Sequence, residues 1–157
     1  MRPSFDEIFM RMALLMSERS TCLSRKTGAV LVKDNKVLAT GYNGAPSKTK
    51  HCTELGFCKR RQSGYKSGEY KDELCRAVHA EENCLLQAAK FGISSQDSIL
   101  YSTNFPCTMC SKSIINAGVK EVIYFKDYPN ELSKNLLKEA GVKVRQISPN
   151  IEHQKKL

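Results

Sequence analysis

The hydrophobic positions of this chain first follow a helical period and later form short runs. Between Phe5 and Met16 apolar side chains recur three and four residues apart, which predicts an amphipathic helix extending to about Glu18. Ser4 precedes this stretch and Glu7 follows three residues later, a capping-box pattern that marks a helix start. The apolar stripe is typical of core packing, and we expect these side chains to face the core: Phe5, Ile8, Phe9, Met12, Leu15 and Met16.

Short apolar runs bounded by turn residues predict the strands. Residues 28–33 and 36–40 form a predicted hairpin around Asp34 and Asn35. After a polar interval, further runs alternate with helical patterns that end in glycine. This order predicts an α/β fold in one domain over residues 1–157, in which strand–helix–strand crossovers place helices on both faces of one mixed sheet. The later strands are predicted at 98–103, 122–125 (fully buried) and 142–147, and the later helices at about 78–91, 107–117 and 132–140.

The polar interval, an insert at about residues 47–76, lacks apolar periodicity and carries several potential metal ligands. A stretch of weak structure of this length inside a compact domain is expected to be functional or held in place by something. Four thiols and one imidazole offer that support, and we predict a second zinc held by four of them; scattered free thiols are the alternative. The candidate ligands are Cys22, from an earlier loop, Cys52, Cys58 and Cys75, with His51 as an alternative ligand.

Charge and cysteine usage narrow the expected partners and compartment. Lys and Arg number 25 against 16 Asp and Glu, a formal net charge of +9, which favours phosphate-bearing ligands, although most such side chains are simply solvated. The N-terminal residues contain no apolar run long enough for secretion or membrane spanning. We therefore expect a cytoplasmic protein that binds no membrane. Its seven cysteines should stay reduced and serve metal binding more often than disulfides.

Three residues that flank the third predicted strand, one before it and two after it, have side chains that bind zinc. His79 offers an imidazole, and Cys107 and Cys110 offer two thiolates one helical turn apart. Three protein ligands leave a fourth position open, which distinguishes a catalytic zinc from a structural one. Glu81 follows His79 by two residues, so it can reach a water in that position without being a ligand. The pattern His-x-Glu followed by Pro-Cys-x-x-Cys is the signature of zinc-dependent nucleobase deaminases.

The predicted elements bring these residues together at helix starts. Two helices that begin at the same sheet edge would place His79 beside the two cysteines, and helix N-termini favour thiolates. The zinc would activate water, and Glu81 would take the water's proton, give it to the ring nitrogen next to the attacked carbon, and then protonate the leaving ammonia. Glu82 should point away by about 100° of helical rotation, and Cys84 fits a buried thiol better than a ligand. A closed structural zinc site is the alternative, but it leaves Glu81 without a role.

With these motifs the chain resembles the cytidine and deoxycytidylate deaminase family, and within it the deoxycytidylate (dCMP) deaminases. The resemblance extends from about Phe5 to Ile147. It implies a cytidine deaminase-like fold and hydrolysis of dCMP to dUMP with release of ammonia, which supplies dUMP for thymidylate synthesis. It also implies an insert that often carries a second, structural zinc. The segments that carry the resemblance are 26–30, 40–44, 79–81, 106–110 and 114–124.

The same resemblance implies further contacts and partners. Asn43 would bond the deoxyribose hydroxyl, and the Ala80 backbone would help hold the base. Arg25 and Lys26 are candidates for charge-assisted contacts with the 5′-phosphate. Family members are typically oligomers, often hexamers, and many are activated by dCTP and inhibited by dTTP with Mg²⁺. A nucleic-acid substrate is not what we expect.

Two other functions remain open from the residues alone. A tRNA adenosine deaminase would share the fold, the His-x-Glu motif and a Pro-Cys-x-Met-Cys segment, and a basic protein suits RNA. The cysteine-bearing insert and the Gly-Tyr-Asn-Gly segment favour the dCMP deaminases instead. The other alternative is a non-catalytic zinc-binding protein of the competence type. The presence of Glu81 argues against it, because a non-catalytic site does not need that carboxylate. The basic residues of the insert could serve phosphates, an interface or solubility: Lys48, Lys50, Lys59, Arg60, Arg61 and Lys66.

Overall fold

Strands and helices alternate along most of the chain in the computed structural model, which describes residues 2–65 and 72–149. The observed ends differ from the predicted ones by only one or two residues, because the period of the apolar positions is strong within elements and weak at their ends. The elements are α1 (Phe5–Ser17), β1 (Gly28–Lys33), β2 (Lys36–Tyr42), α2 (Cys52–Leu55), α3 (Lys59–Gln62), α4 (Ala80–Lys90), β3 (Ile99–Asn104), α5 (Thr108–Asn116), β4 (Glu121–Lys126), α6 (Glu131–Glu139) and β5 (Lys143–Gln146), with one 3₁₀ turn at Asp72–Leu74.

The five strands form one mixed sheet in the order β2-β1-β3-β4-β5. Strand β1 is antiparallel to both β2 and β3, whereas β3, β4 and β5 run parallel. The β1–β2 hairpin turns at Asp34 and Asn35, whose φ values are 49° and 56°. Two consecutive positive φ values match the twist of a two-residue hairpin turn. The predicted mixed five-stranded sheet and its predicted hairpin are confirmed.

Helices cover both faces of the sheet, but not in the way the sequence predicted. Helix α1 packs alone on one face, against Val30, Val32 and Tyr101. Helices α4, α5 and α6 all pack on the opposite face. The crossovers through α5 and α6 both step in the same direction along the sheet, and right-handed crossovers of that kind lie on one side. The three-layer α/β/α architecture is confirmed, while the prediction that crossover helices populate both faces is wrong.

The face that α1 turns to the sheet is displaced from the predicted stripe. Phe9, Met10 and Ala13 are buried, whereas Phe5 and Leu15 are about half exposed at 51% and 58%. A Cβ built on Gly28 would lie 2.6 Å from the Ser17 backbone nitrogen and closer still to the Ala13 carbonyl oxygen. This close approach draws the Ala13 side of the helix onto β1, so Phe5 and Leu15 rotate towards solvent.

Two further predictions are corrected in detail. Strand β4 is buried only over its first half, because Tyr124 and Phe125 are half-buried and the strand ends in solvent. The insert, predicted to have weak structure, contains the short helices α2 and α3, which the sequence did not predict. Residues 66–71, including Lys66, lie outside the described residues. Within residues 2–65 and 72–149, no helix is both long enough and apolar enough to cross a membrane.

Helix α4 lies very close to the end of β2. A Cβ on Gly41 would come within 2.6 Å of the Cys84 backbone nitrogen, and the Ala80 carbonyl oxygen is nearer still. The side-chain amide of Asn83 donates a hydrogen bond of 2.8 Å to the Tyr42 carbonyl oxygen, which further ties the helix to the strand. These contacts fix the N-terminal turn of α4 above the sheet.

Candidate active site

Three potential metal ligands meet where α4 and α5 begin. His79 is the N-cap residue of α4 and Cys107 is the N-cap residue of α5, while Cys110 lies in the first turn of α5. The His79 Nδ1 atom lies 3.4 Å from the sulfur of each cysteine. In the described part of the chain this is the single group of three His, Cys, Asp or Glu residues whose ligand atoms all lie within 4.8 Å of one another. The sequence therefore predicted this grouping correctly.

The chemistry of this donor set suits zinc. One imidazole and two thiols are soft to borderline ligands, and Zn²⁺ prefers them over the oxygen ligands that Mg²⁺ takes. The hydrogen bond from the Cys110 thiol lowers the pKa of Cys107 to about 4 against the opposing effect of burial, and His79 lowers it further. The same bond, together with burial, raises the pKa of Cys110. At least one of the two sulfurs is thus a thiolate at neutral pH, the form that binds metal.

Glu81 lies beside this cluster in the first turn of α4 and is only 6% exposed. Its Oε1 accepts a 3.0 Å hydrogen bond from the Ser102 hydroxyl, and its Oε2 lies 3.7 Å from the Cys110 thiol. Burial raises the pKa of Glu81, although the nearby His79 charge opposes that effect. A buried carboxyl with a raised pKa can both accept and return a proton near neutral pH. Glu82, by contrast, is exposed, as its helical rotation predicted.

The candidate substrate-binding residues lie on loops and at the start of α4. The Asn43 side-chain oxygen accepts hydrogen bonds from the Ser20 hydroxyl at 2.6 Å and from the Thr27 backbone at 2.9 Å. Its amide nitrogen donates to the Arg25 carbonyl oxygen at 2.7 Å. Asn43 therefore holds together the loop that carries Arg25 and Lys26, both exposed. Ala80 is completely buried in the core under α4.

The five residues predicted to hold a second metal share one neighbourhood without forming a compact ligand group. Burial raises the pKa of Cys52, and charge repulsion from the other three thiols raises it further, so the four sulfurs interact electrostatically. None of the five belongs to a three-residue group within 4.8 Å. The Nδ1 atom of His51 lies 3.1 Å from the Thr21 hydroxyl oxygen. The residues concerned are Cys22, Cys52, Cys58, Cys75 and His51.

Two residues at the site were not singled out from the sequence. Ser102 is a fully buried hydroxyl in the middle of the sheet, and the Arg25 guanidinium lies 5.4 Å from the centre of the Tyr128 ring. A signal for Ser102 exists, because a serine on a buried face of a central strand needs a hydrogen-bond partner. For Tyr128 the sequence holds no such signal, since its proximity to Arg25 depends on how two distant loops fold. Cys84 is fully buried in the core, as predicted.

Comparison with known proteins identifies the family. Residues 3–126 match the cytidine and deoxycytidylate deaminase zinc-binding region. The chain is 44% identical to a deoxycytidylate deaminase of Schizosaccharomyces pombe over 94% of this chain, but it spans about half that relative's length, 45%. It is 41% identical to the deoxycytidylate deaminase of Mycobacterium phage D29 over 80% of this chain and 98% of that protein. It is also 37% identical to ComE operon protein 2 of Bacillus subtilis, over 93% of this chain and 72% of that one.

A solved structure supports the same assignment. The dCMP deaminase of cyanophage S-TIM5, in complex with dCMP and dUMP, is 34% identical to this chain, covers 94% of it and 99% of its own chain, and superposes with a TM-score of 0.77. The matched region contains the three clustered metal ligands and Glu81. The chain belongs to the cytidine and deoxycytidylate deaminase family.

Proposed function

We propose that this protein is a zinc-dependent hydrolase that converts dCMP to dUMP and releases ammonia, which supplies dUMP for thymidylate synthesis. The observation that carries the proposal is the buried Glu81 carboxylate beside the His79, Cys107 and Cys110 cluster. The family match and the phage relatives, which are similar over nearly their whole length, support dCMP as the substrate.

His79, Cys107 and Cys110 would hold the catalytic zinc. When bound, the ion lowers the pKa of a water molecule towards neutrality and so supplies the nucleophile. The positive ends of two helix dipoles face this point, because α4 and α5 both begin at these ligands. That field favours the thiolate forms and any negative charge that develops in the reaction.

Glu81 would carry the protons. Its carboxylate accepts a proton from the attacking water and gives it to the ring nitrogen next to the attacked carbon. It then takes the proton of the new hydroxyl group on the attacked carbon and passes it to the amino group, so that the carbonyl forms as ammonia leaves. Burial suits both steps, because it raises the pKa of Glu81 towards the working pH.

Arg25, Lys26, Asn43 and Ala80 are the proposed substrate contacts. Arg25 and Lys26 stand exposed on one loop and offer positive charge to the 5′-phosphate. An amide nitrogen carries two hydrogens, and the bond to the Arg25 carbonyl uses one of those on Asn43. The other hydrogen would bond the deoxyribose hydroxyl, and the Ala80 backbone would help hold the base.

We further propose a structural zinc held by Cys22, Cys52, Cys58 and Cys75, with His51 as the alternative ligand. Burial raises the pKa of Cys52, charge repulsion from the other three thiols raises it further, and a cation between the four sulfurs would relieve that repulsion. From the family resemblance we also propose a homo-oligomer, a hexamer, that dCTP activates and dTTP inhibits in the presence of Mg²⁺. Sedimentation and assays with each nucleotide test these assignments.

The decisive experiment measures ammonia release from purified protein with dCMP, dCTP, deoxycytidine and an adenosine-bearing tRNA anticodon stem in parallel. Turnover of dCMP supports the proposal. Turnover of the tRNA stem alone would show that the proposed substrate is wrong, although the zinc-dependent deamination mechanism would still hold. If none of the four is turned over, even with added dCTP and Mg²⁺, the enzymatic proposal fails.

The second metal has its own test, a zinc count per chain in two matched variants. Cys52→Ala should lower the count by one, because it removes a ligand. Cys84→Ala removes a buried thiol outside both clusters and should leave the count unchanged. Equal counts in the two variants would contradict the structural zinc.

A further inference from the structure

We propose that Ser102 is a positioning residue that holds the Glu81 carboxylate in its working orientation. The inference rests on the proposed function of Glu81. Ser102 lies in β3, paired with Ala29 of β1 on one side and Tyr124 of β4 on the other. It is completely buried, on the sheet face that packs against α4 and α5.

A hydroxyl is chemically unusual on this face of the sheet. The neighbouring side chains on the same sheet face are mostly apolar and form the larger core cluster, including Ala29, Leu31, Leu100 and Val122. A buried hydroxyl without a partner destabilises a fold, so its position is tolerated only where it forms hydrogen bonds. Ser102 forms its 3.0 Å bond with Glu81 Oε1, a group that the proposed reaction uses.

The bonding of Ser102 also orients its proton. The Asn104 backbone N–H points at the Ser102 oxygen over 3.4 Å, so a lone pair of that oxygen faces the strand backbone. The hydroxyl hydrogen is then directed at Glu81. Because Asn104 is fixed in the β3–β4 pairing, the donor does not have to rotate into place when the carboxylate is ionised.

This contact assigns different tasks to the two carboxylate oxygens. With Oε1 held by Ser102, Oε2 is the oxygen that lies towards Cys110, at 3.7 Å from its sulfur. Proton transfer requires one oxygen to stay within reach of the reacting atoms. Without the serine hydroxyl, Oε1 would lose its buried hydrogen-bond donor. The carboxylate would then be free to rotate about its Cγ–Cδ bond towards a different donor.

The experiment compares Ser102→Ala, Ser102→Thr and Ser98→Ala with the parent protein. Ser98 is also fully buried, and its hydroxyl donates to the Ser95 carbonyl oxygen, away from the cluster. We expect Ser102→Ala to lower kcat for dCMP by about ten- to a hundredfold while KM changes little, because a hydrogen bond to a charged group is lost. Ser102→Thr keeps the hydroxyl and should recover most of kcat, and Ser98→Ala should retain parental kcat.

A crystal structure of each zinc-loaded variant supplies a readout that does not depend on turnover. The Glu81 carboxylate should rotate in Ser102→Ala and keep its place in Ser102→Thr and Ser98→Ala. An unmoved carboxylate in Ser102→Ala, or an equal loss of kcat in Ser98→Ala, would overturn the positioning role. A parent protein that fails to deaminate dCMP would instead count against the proposed function, and the carboxylate orientation would still decide the role of Ser102.

Discussion

Burial, at the scale of single residues, separates side chains that look equivalent in the sequence. Glu81 and Glu82 are neighbours with the same carboxyl group, yet Glu81 is buried beside the cysteine cluster and Glu82 lies in solvent. The helical period predicts this difference, because successive residues on a helix are separated by about 100°. Ser102 could not be recognised in the same way, since its importance depends on a partner 21 residues away in the chain.

Replacement of Glu81 by Gln tests the proton-transfer role. The amide has nearly the same shape but cannot accept and return a proton, so kcat for dCMP should fall by at least about a hundredfold. The zinc content should not change, because Glu81 is not one of the three clustered ligands. Parental turnover in Glu81→Gln would contradict the mechanism, and loss of zinc would show that the carboxylate is itself a ligand.

Asp6 gives a prediction about pH. Burial tends to raise the pKa of Asp6, but the 2.6 Å hydrogen bond from Tyr101 and the 2.9 Å ion pair with Arg145 outweigh it and leave the pKa below its ordinary value of 3.8. A lowered carboxyl pKa stabilises the folded state above pH 3.8 and loses that contribution as the pH falls below it. Asp6→Asn should therefore lower the melting temperature at neutral pH by about 2–4 °C.

The difference between Asp6→Asn and the parent should shrink at a pH well below 3.8, where the parental carboxylate also takes up a proton. Asp127→Asn is the matched control, because the ion pair of Asp127 with Lys134 is exposed and 4.0 Å long, so its loss should be nearly neutral. The amide oxygen of the asparagine can still accept the 2.9 Å hydrogen bond that the Tyr128 backbone donates to Asp127. A melting difference for Asp6→Asn that is the same at both pH values would contradict the electrostatic explanation.

At the scale of secondary-structure elements, the site depends on two helices that start where their metal ligands lie. The sequence predicted these starts because His79 and Cys107 each precede an apolar helical pattern, and both are N-cap residues in the structure. It could not predict which sheet face each helix covers. That outcome depends on the order of strands in the sheet and on close backbone contacts such as the one at Gly28, which no local pattern records.

Gly41 tests how the α4 start is held. A methyl group there would collide with the backbone of α4 at Ala80 and Cys84, which cannot move aside as a flexible side chain can. Gly41→Ala should lower stability by about 1–3 kcal/mol and weaken zinc binding, because the helix that carries His79 is displaced. Thermal melting and zinc titration measure the two effects.

Gly44→Ala is the control for this substitution. The nearest atom to a Cβ at Gly44 is the Thr21 side-chain oxygen at 3.1 Å, which can adjust by a side-chain rotation. Gly44→Ala should therefore change the melting temperature and the zinc affinity clearly less than Gly41→Ala does. Equal effects of the two substitutions would mean that the close contact between β2 and α4 does not position the metal ligands.

For the whole molecule, a bound metal would link parts of the chain that are distant in sequence. Its proposed ligands come from the starts of α4 and α5, so metal binding and folding stabilise each other. Removing zinc with a chelator should lower the melting temperature by several degrees, about 2–4 °C for each kcal/mol lost. The chelator should lower the melting temperature of Glu81→Gln by the same amount, because that variant keeps all three zinc ligands. It should lower the melting temperature of His79→Ala by less, because that variant lacks one ligand. A melting temperature that the chelator leaves unchanged would contradict this coupling.

More of the catalytic cluster than of the insert could be inferred from the sequence. His79, Cys107 and Cys110 are spaced as a ligand set requires, and regular elements carry each of them. The four other thiols of the proposed second site lie on a loop and short helical turns, whose relative placement follows no periodic rule. The sequence composition predicted that these thiols share one neighbourhood. It could not predict the distances between their sulfur atoms.

The order of the strands leaves β2 and β5 as the edges of the described sheet. Unpaired strand edges invite other chains to add strands and polymerise. Each of these edges begins with an exposed lysine, Lys36 in β2 and Lys143 in β5, and repulsion between like charges opposes such stacking. The positive charge that suits a phosphate-bearing ligand thus also protects the protein from aggregation at high concentration.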